Sequence, residues 1–138
     1  MKIIEMLDKA KKELIPFKDK ISFLYNSKEL AIVSKNIKEE EQLANELEKT
    51  FDELDTKFSL LVDAIFNNIT IGDDLTGIVK SKNKRYFSKT PKFYGCKKHN
   101  GYNIFKVLWE FENPINNKIE NFDVNTIKEN IYWLLHQC

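Results

Sequence analysis

The residues most able to do chemistry lie between Thr76 and Trp109. This segment has nine basic residues and seven aromatic residues, and it contains no Asp or Glu. Lysine neutralises phosphate as a point charge, and aromatic side chains can stack on unpaired bases. The basic residues are Lys80, Lys82, Lys84, Arg85, Lys89, Lys92, Lys97, Lys98 and Lys106; the aromatic residues are Tyr86, Phe87, Phe93, Tyr94, Tyr102, Phe105 and Trp109.

The basic residues form two clusters, a turn at Lys80–Arg85 and a loop at Lys89–Lys98. If both clusters lie on one edge of a sheet, they form a surface that binds the backbone of a nucleic acid. Arg85 is the only arginine, which argues against base-specific contacts to guanine. Two alternatives stay open: an acidic protein partner, and lysines that only keep the surface soluble. The predicted contact residues are Lys80, Lys82, Lys84, Arg85, Tyr86, Lys89, Lys92, Tyr94, Lys97 and Lys98.

The Cys and His residues come in two close pairs, Cys96 with His99 and His136 with Cys138. Four such residues could hold zinc if they met in a tetrahedron. Residues 136 and 138 do not share a helix face, however, and a terminal residue tends to fray. We therefore expect no metal and no other cofactor, with this set as the zinc alternative.

Four carboxylates border the basic stretch: Asp73, Asp74, Glu110 and Glu112. Clustered carboxylates with a lysine such as Lys106 are what a metal-dependent nuclease needs. Their spacing matches no nuclease motif, and no Walker loop, Gly-x-Gly-x-x-Gly or His-Glu-x-x-His sequence occurs. The sequence predicts that the protein is not an enzyme, with a metal-dependent nuclease as the enzymatic alternative.

Length and composition predict one globular domain over residues 1–138. Residues 1–74 hold eleven lysines and sixteen acids, a net charge of −5, whereas residues 75–138 hold eleven basic residues and five acids, a net charge of +6. The most apolar run, residues 58–71, contains Asp63 and is too short to span a bilayer. A charged start without an apolar signal run predicts a cytoplasmic protein.

The acidic half is expected to be mainly helical. Ile3, Leu7, Ala10 and Leu14 recur at helical spacing over residues 2–15, and Pro16 is expected to end or kink this helix. The alternation of apolar side chains within residues 20–34 favours a short β-hairpin there. The alternative is a helix that continues through Phe17, Ile21 and Leu24.

Residues 37–66 carry an a/d heptad pattern behind an Asn36–Glu39 capping box. The apolar side chains at the a and d positions are expected to pack either on the domain's own core or on a second copy of the chain. The predicted dimer contact is formed by Leu47, Phe51, Leu54 and Phe58.

The basic half is expected to be a sheet. Strands at Gly77–Val79 and Arg85–Phe87 flank the Lys80–Arg85 turn, and Asn100-Gly101 predicts a tight hairpin turn. The apolar run from Tyr102 to Glu112 predicts the central strand. Residues 113–122 are assigned to a loop, and Asp123 is expected to cap a final helix that covers the sheet.

Together these features predict an α+β fold. It has an N-terminal helix, a short β-hairpin, a long amphipathic helix and an antiparallel sheet of three to four strands at about 76–112, covered by a C-terminal helix. The predicted function is non-enzymatic nucleic-acid binding. The alternative is a protein-interaction module, such as an inhibitor or immunity protein from a mobile element, acting through its charged face.

Overall fold

The computed structural model describes residues 2–79, 90–111, 115 and 117–137, and within them the fold is α+β. A three-stranded antiparallel sheet follows two long helices and precedes a shorter one. The elements are α1 (Ile3–Val33), α2 (Ile37–Asn67), β1 (Thr90–His99), β2 (Tyr102–Glu110), β3 (Lys118–Asp123) and α3 (Val124–His136). No helix in the described ranges combines the length and apolarity that a membrane span requires.

The chain forms two compact units. One is residues 9–61, a hairpin built from most of α1 and α2. The other comprises residues 1–8 and 62–138 and contains the sheet and α3.

Helix α1 continues through Pro16 to Val33, so the helix does not end at Pro16. The predicted hairpin at 20–34 is wrong, and the alternative of a continuing helix is confirmed. The apolar spacing continues past the proline, and Leu14, Leu24 and Ala31 are all buried. Contacts with α2 accompany this burial: Lys20 Nζ lies 3.3 Å from Glu46 Oε1, and Tyr25 packs edge-to-face on Phe51. Packing of this face outweighs the local strand preference of residues 20–34.

A tight connection joins α1 to α2. Lys35 adopts a φ of 59°, and the N–H of Asn36 donates to Ala31 O while that of Lys35 donates to Ile32 O. These two bonds form a Schellman motif, which satisfies carbonyls at the end of α1. The Asn36 side chain then accepts from Glu39 N at 3.2 Å and donates to Glu39 Oε2 at 3.0 Å. The predicted capping interaction is confirmed, with the Asn36 amide in place of its backbone N–H.

Helix α2 closely matches the prediction over 37–66. Leu47, Leu54 and Phe58 are buried within the chain. Phe51 is 38% exposed, and the neighbouring Thr50 is buried instead, with its hydroxyl donating to Glu46 O. Three of the four predicted dimer residues are therefore already covered in the monomer.

The sheet has the order β1-β2-β3, so the predicted central position of the strand beginning at Tyr102 is confirmed. His99 pairs with Tyr102 across a two-residue turn in which Asn100 and Gly101 both have positive φ, 49° and 80°. This is the geometry that Asn-Gly predicts.

Two details of the predicted sheet are wrong. Residues 118–122, assigned to a loop, belong to β3, which pairs with β2 from Ile104↔Asp123 to Trp109↔Lys118. Gly77–Val79 is a turn rather than a strand, with Ile78 and Val79 buried. The predicted strand at 85–87 and its preceding turn lie outside the described residues.

Residues 72–75 run along the outer edge of β1. Gly72 N donates to Phe93 O, Phe93 N donates to Asp73 O, and Leu75 N donates to Pro91 O. The segment thus adds three backbone hydrogen bonds to the sheet without forming a fourth full strand.

Helix α3 covers the buried face of the sheet. Asp123 caps it by accepting from Asn125 N at 2.7 Å, which confirms the predicted N-cap. Phe105 on β2 packs against Phe66 of α2, and Lys128 of α3 lies over the same Phe66 ring. Since Phe105 is on the buried face, α3 and the end of α2 lie on that face. The fully buried residues of α3 are Ile127, Ile131 and Leu135.

Candidate nucleic-acid interface

The predicted contact residues divide into two sets. Those described by the structure lie on β1, which begins at Thr90, so residues 90–98 of the predicted loop at 89–98 form a strand. They are Lys92, Tyr94, Lys97 and Lys98. Those outside the described residues are Lys80, Lys82, Lys84, Arg85, Tyr86 and Lys89.

The strand pairing assigns side chains to the two faces of the sheet, because directly paired residues share a face. Phe93, Val107 and Phe105 lie on the buried face that α3 covers. The opposite face, called here the open face, carries no helix among the described residues. Its residues are Thr90, Lys92, Gly95, Lys97, His99, Tyr102, Ile104, Lys106, Leu108, Glu110, Ile119, Asn121 and Asp123.

A bulge in β1 decides which lysines share the open face. The pairing shifts by one residue between Phe93↔Val107 and Gly95↔Lys106. Lys92 and Lys97 are five residues apart, so in a regular strand they would lie on opposite faces. The extra residue at the bulge, the 48% exposed Tyr94, returns both lysines to the open face.

The charges on the open face are unequally neutralised. Lys92 Nζ lies 3.2 Å from Glu110 Oε1, and the Asp123 carboxylate is engaged at the N-terminus of α3. Lys97 and Lys106 form no ion pair with any residue in the described ranges. These two ammonium groups are therefore available to an anion.

A shallow cleft lies between these two lysines. It is lined by Lys97, Lys106, His99 and Asn121 around an aliphatic floor of Ile104 and Ile119. None of these lining residues is acidic. The cleft combines positive charge, an amide and apolar surface, which are the groups that contact phosphate, base edges and base faces.

The hairpin turn sets an aromatic pair at the end of the open face. His99 lies directly opposite Tyr102, whose side chain is 65% exposed. Lys98, on the other face of β1, is also exposed close to the turn.

Sequence reasoning did not include Tyr102, Lys106, Ile119 or Asn121 among the predicted nucleic-acid contacts. The positions of Tyr102 and Lys106 could have been predicted from the Asn-Gly turn. That turn fixes the register, which places His99 opposite Tyr102 and Gly95 opposite Lys106. Ile119 and Asn121 belong to the unpredicted β3.

The possible zinc ligands are not brought together. Cys96 pairs with Phe105 and His99 pairs with Tyr102, so the two side chains lie on opposite faces of β1. Partial burial raises the pKa of the Cys96 thiol, which disfavours the thiolate that zinc requires. His136 stacks on Tyr132 in α3, and Cys138 lies outside the described residues. No group of three metal-binding side chains occurs in the described ranges.

The carboxylates considered for a nuclease are engaged in local structure. Asp73 accepts from Thr70 N at 2.7 Å, and Asp74 accepts from Thr76 N at 2.8 Å. Glu110 pairs with Lys92 as described, and Glu112 lies outside the described residues. The two aspartates stabilise turns between α2 and β1.

No protein-family model, curated protein or solved structure matches this chain.

Proposed function

We propose that the protein is a non-enzymatic nucleic-acid-binding protein that contacts the phosphate backbone through the open face of its sheet. The observation that carries the proposal is the pair of lysines without ion-pair partners in the described ranges, Lys97 and Lys106, on either side of the cleft floored by Ile104 and Ile119. Lys98, also predicted as a contact, lies on the other face of β1 and is not part of this pair.

Lysine supports backbone contacts in particular. Its ammonium group is a compact charge that pairs with phosphate oxygens, whereas bidentate base recognition is the property of arginine. Among the described residues, every basic side chain on the open face is a lysine or a histidine. The expected binding is therefore salt-dependent and only weakly dependent on sequence.

The first prediction concerns this pair of lysines. Lys97→Glu combined with Lys106→Glu should weaken binding to a labelled oligonucleotide by about tenfold or more, because two phosphate contacts become repulsive. The slope of log K against log salt should also become shallower by about 2. Fluorescence anisotropy at several salt concentrations measures both quantities.

A matched control makes the same change of net charge elsewhere. Lys12→Glu with Lys49→Glu reverses two exposed lysines on the helical hairpin and should leave the affinity within about threefold of wild type. Equal losses in the two variants would show that only net charge matters and would contradict binding at the open face. A salt slope near zero for the wild-type protein would contradict the proposal altogether.

A second candidate function follows from the turn of the helical hairpin. Four large apolar side chains lie there within eight residues, with exposures from 49% to 81%. They form the turn patch: Leu30, Ile32, Val33 and Ile37. A cluster of this kind typically marks an interaction site.

We propose a second copy of this chain as the occupant of the turn patch. Charges of both signs lie beside and between its residues along the chain: Lys28, Lys35 and Lys38 together with Glu29 and Glu39. A twofold axis pairs each surface with itself, so a patch that carries both signs can place lysines of one copy opposite glutamates of the other.

The second prediction tests this dimer. Sedimentation velocity over about 1–100 µM protein should show a monomer–dimer equilibrium. Leu30→Lys with Val33→Lys should leave a monomer, because charged groups would be buried unpaired in the interface. Leu60→Lys, at a comparably exposed position of α2, should leave the dimer intact. A wild-type protein that stays monomeric over the whole range would contradict the proposal.

A further inference from the structure

We infer that the open face selects unpaired nucleic acid over duplex. This inference rests on the proposed nucleic-acid binding and specifies its substrate class. Three features of the open face support it: an exposed aromatic side chain, an aliphatic floor between lysines, and the way β3 limits access to the hairpin.

Tyr102 is the first feature. It is 65% exposed, and its position opposite His99 at the turn places an aromatic ring at the end of the face that holds Lys97 and Lys106. A base can stack on such a ring only when its own face is free, as in a single strand. In a duplex both faces of an internal base are covered by neighbouring bases. Tyr102 would then have no base face on which to stack.

The aliphatic floor is the second feature. Ile104 lies between Lys97 and Asp123 in the pairing, and Ile119, at 45% exposure, lies between Lys118 and Glu120 along β3. Burying this apolar surface is favourable only against another apolar surface. The faces of unpaired bases provide one, whereas the outside of a duplex presents mainly charged backbone.

The position of β3 is the third feature, because it argues against insertion of the hairpin into a duplex groove. A two-stranded ribbon can enter the major groove of DNA. Here β3 pairs with β2 as far as Ile104↔Asp123, so only residues 98–103 extend beyond it as a two-stranded ribbon. That extension is too short to follow a groove, and the broad face of the sheet is what a ligand meets.

The arrangement supports one binding mode. The backbone of a single strand runs past Lys97 and Lys106, one base stacks on Tyr102, and the following bases lie over Ile104 and Ile119. The Asn121 side chain, which lines the same cleft, can hydrogen-bond to exposed base edges. Because stacking accepts every base, this mode requires little sequence preference.

The experiment compares three labelled probes with the full-length protein: oligothymidine, oligouridine and a mixed-sequence DNA duplex, each of about 20 residues per strand. Fluorescence anisotropy at low salt should give a dissociation constant at least about tenfold lower for the single strands than for the duplex. Tyr102→Ala should weaken single-strand binding by about 5- to 150-fold, the range that corresponds to one lost base stack. It should leave duplex binding within about twofold.

Tyr102→Phe is the matched control, because it keeps the ring and removes the hydroxyl. It should retain single-strand affinity within about threefold of wild type. Circular dichroism of both variants checks that the sheet is intact. The two single-stranded probes separate DNA from RNA as the source of the ligand, and tighter binding of either one than of the duplex supports the inference.

Two results would overturn the inference in distinguishable ways. Duplex binding that equals or exceeds single-strand binding, together with no effect of Tyr102→Ala, would refute selection of unpaired bases and leave backbone binding standing. Absence of binding to all three probes at low salt would refute the proposed function itself and the inference with it.

Discussion

Gly95 has a large influence on the candidate site although it carries no side chain. It directly follows the bulge in β1 and has a φ of 122°, a conformation that residues with a Cβ rarely adopt. The register shift beside it aligns Lys97 with Lys92 on the open face. Which lysines share the open face therefore depends on the presence of a glycine at position 95.

At the residue scale we predict that Gly95→Ala destabilises the protein by about 1–3 kcal/mol. No atom lies within 4 Å of the added Cβ, so the cause would be backbone strain rather than a clash. Urea unfolding followed by circular dichroism measures the change.

Lys97→Ala is the control for this change, because it alters an exposed side chain two residues further along the same strand. It should change the free energy of unfolding by less than about 0.5 kcal/mol. Equal stabilities of Gly95→Ala and wild type would show that the bulge relaxes and that it does not fix the register.

The residues of the candidate site were only partly predictable. The segment from Thr76 to Trp109, which contains no Asp or Glu, identified Lys97 and Lys98 as predicted contact residues by composition alone. It could not show that Lys98 lies on a different face from Lys97, or that Lys92 is paired with Glu110. The first fact follows from strand alternation in a segment that the sequence assigned to a loop. The second depends on the strand register, which the bulge alters.

At the element scale the connection between α1 and α2 depends on Asn36. Its side chain accepts from Glu39 N, and its backbone N–H belongs to the Schellman motif of α1. One residue thus participates in ending the first helix and starting the second. The orientation of the helical hairpin therefore depends on a short segment rather than on a long loop.

We predict that Asn36→Ala lowers the free energy of unfolding by about 1 kcal/mol, because the N–H of Glu39 loses its acceptor. Asn36→Gly should cost only a few tenths of a kcal/mol, since glycine is tolerated at an N-cap. Chemical unfolding of the two variants beside wild type tests the difference. Equal losses in both variants would mean that the side-chain cap contributes little.

Elements with a strong local signal were predicted well. Helix α2, the Asn100-Gly101 turn and helix α3 each have a cap or a turn residue that specifies a boundary. The second half of α1 was missed because its β-branched and aromatic residues favour strand locally, while packing along α2 favours helix. Strand β3 was missed because Phe122 is its only buried residue, which leaves a weak alternating pattern.

At the scale of the whole molecule, the difference in net charge is larger between the two halves of the sequence than between the two structural units. The two sequence halves carry −5 and +6, whereas residues 9–61 hold ten lysines and eleven acids, a net charge of −1. The other unit holds twelve basic residues and ten acids, a net charge of +2. Asp63, Asp73 and Asp74 account for much of this difference, because they fold with the basic residues.

With charge distributed in this way, binding of a polyanion depends more on the local arrangement of the open face than on the long-range electrostatic field of the protein. A net charge of +1 provides little electrostatic steering of a polyanion at a distance. Affinity then depends on the few lysines that contact the ligand directly, which is why a change of two of them is expected to be decisive.

The three hydrogen bonds from residues 72–75 to β1 also affect how the sheet resists aggregation. An exposed strand edge can template the addition of a strand from another molecule. At residues 91–93 the β1 edge is occupied by this segment, and Pro91 has no N–H to offer there. Among the described residues, the edges that remain are β3 and the Gly95–His99 part of β1. Charged side chains oppose intermolecular strand pairing at both edges: Lys118, Glu120 and Asp123 on β3, and Lys97 and Lys98 on β1.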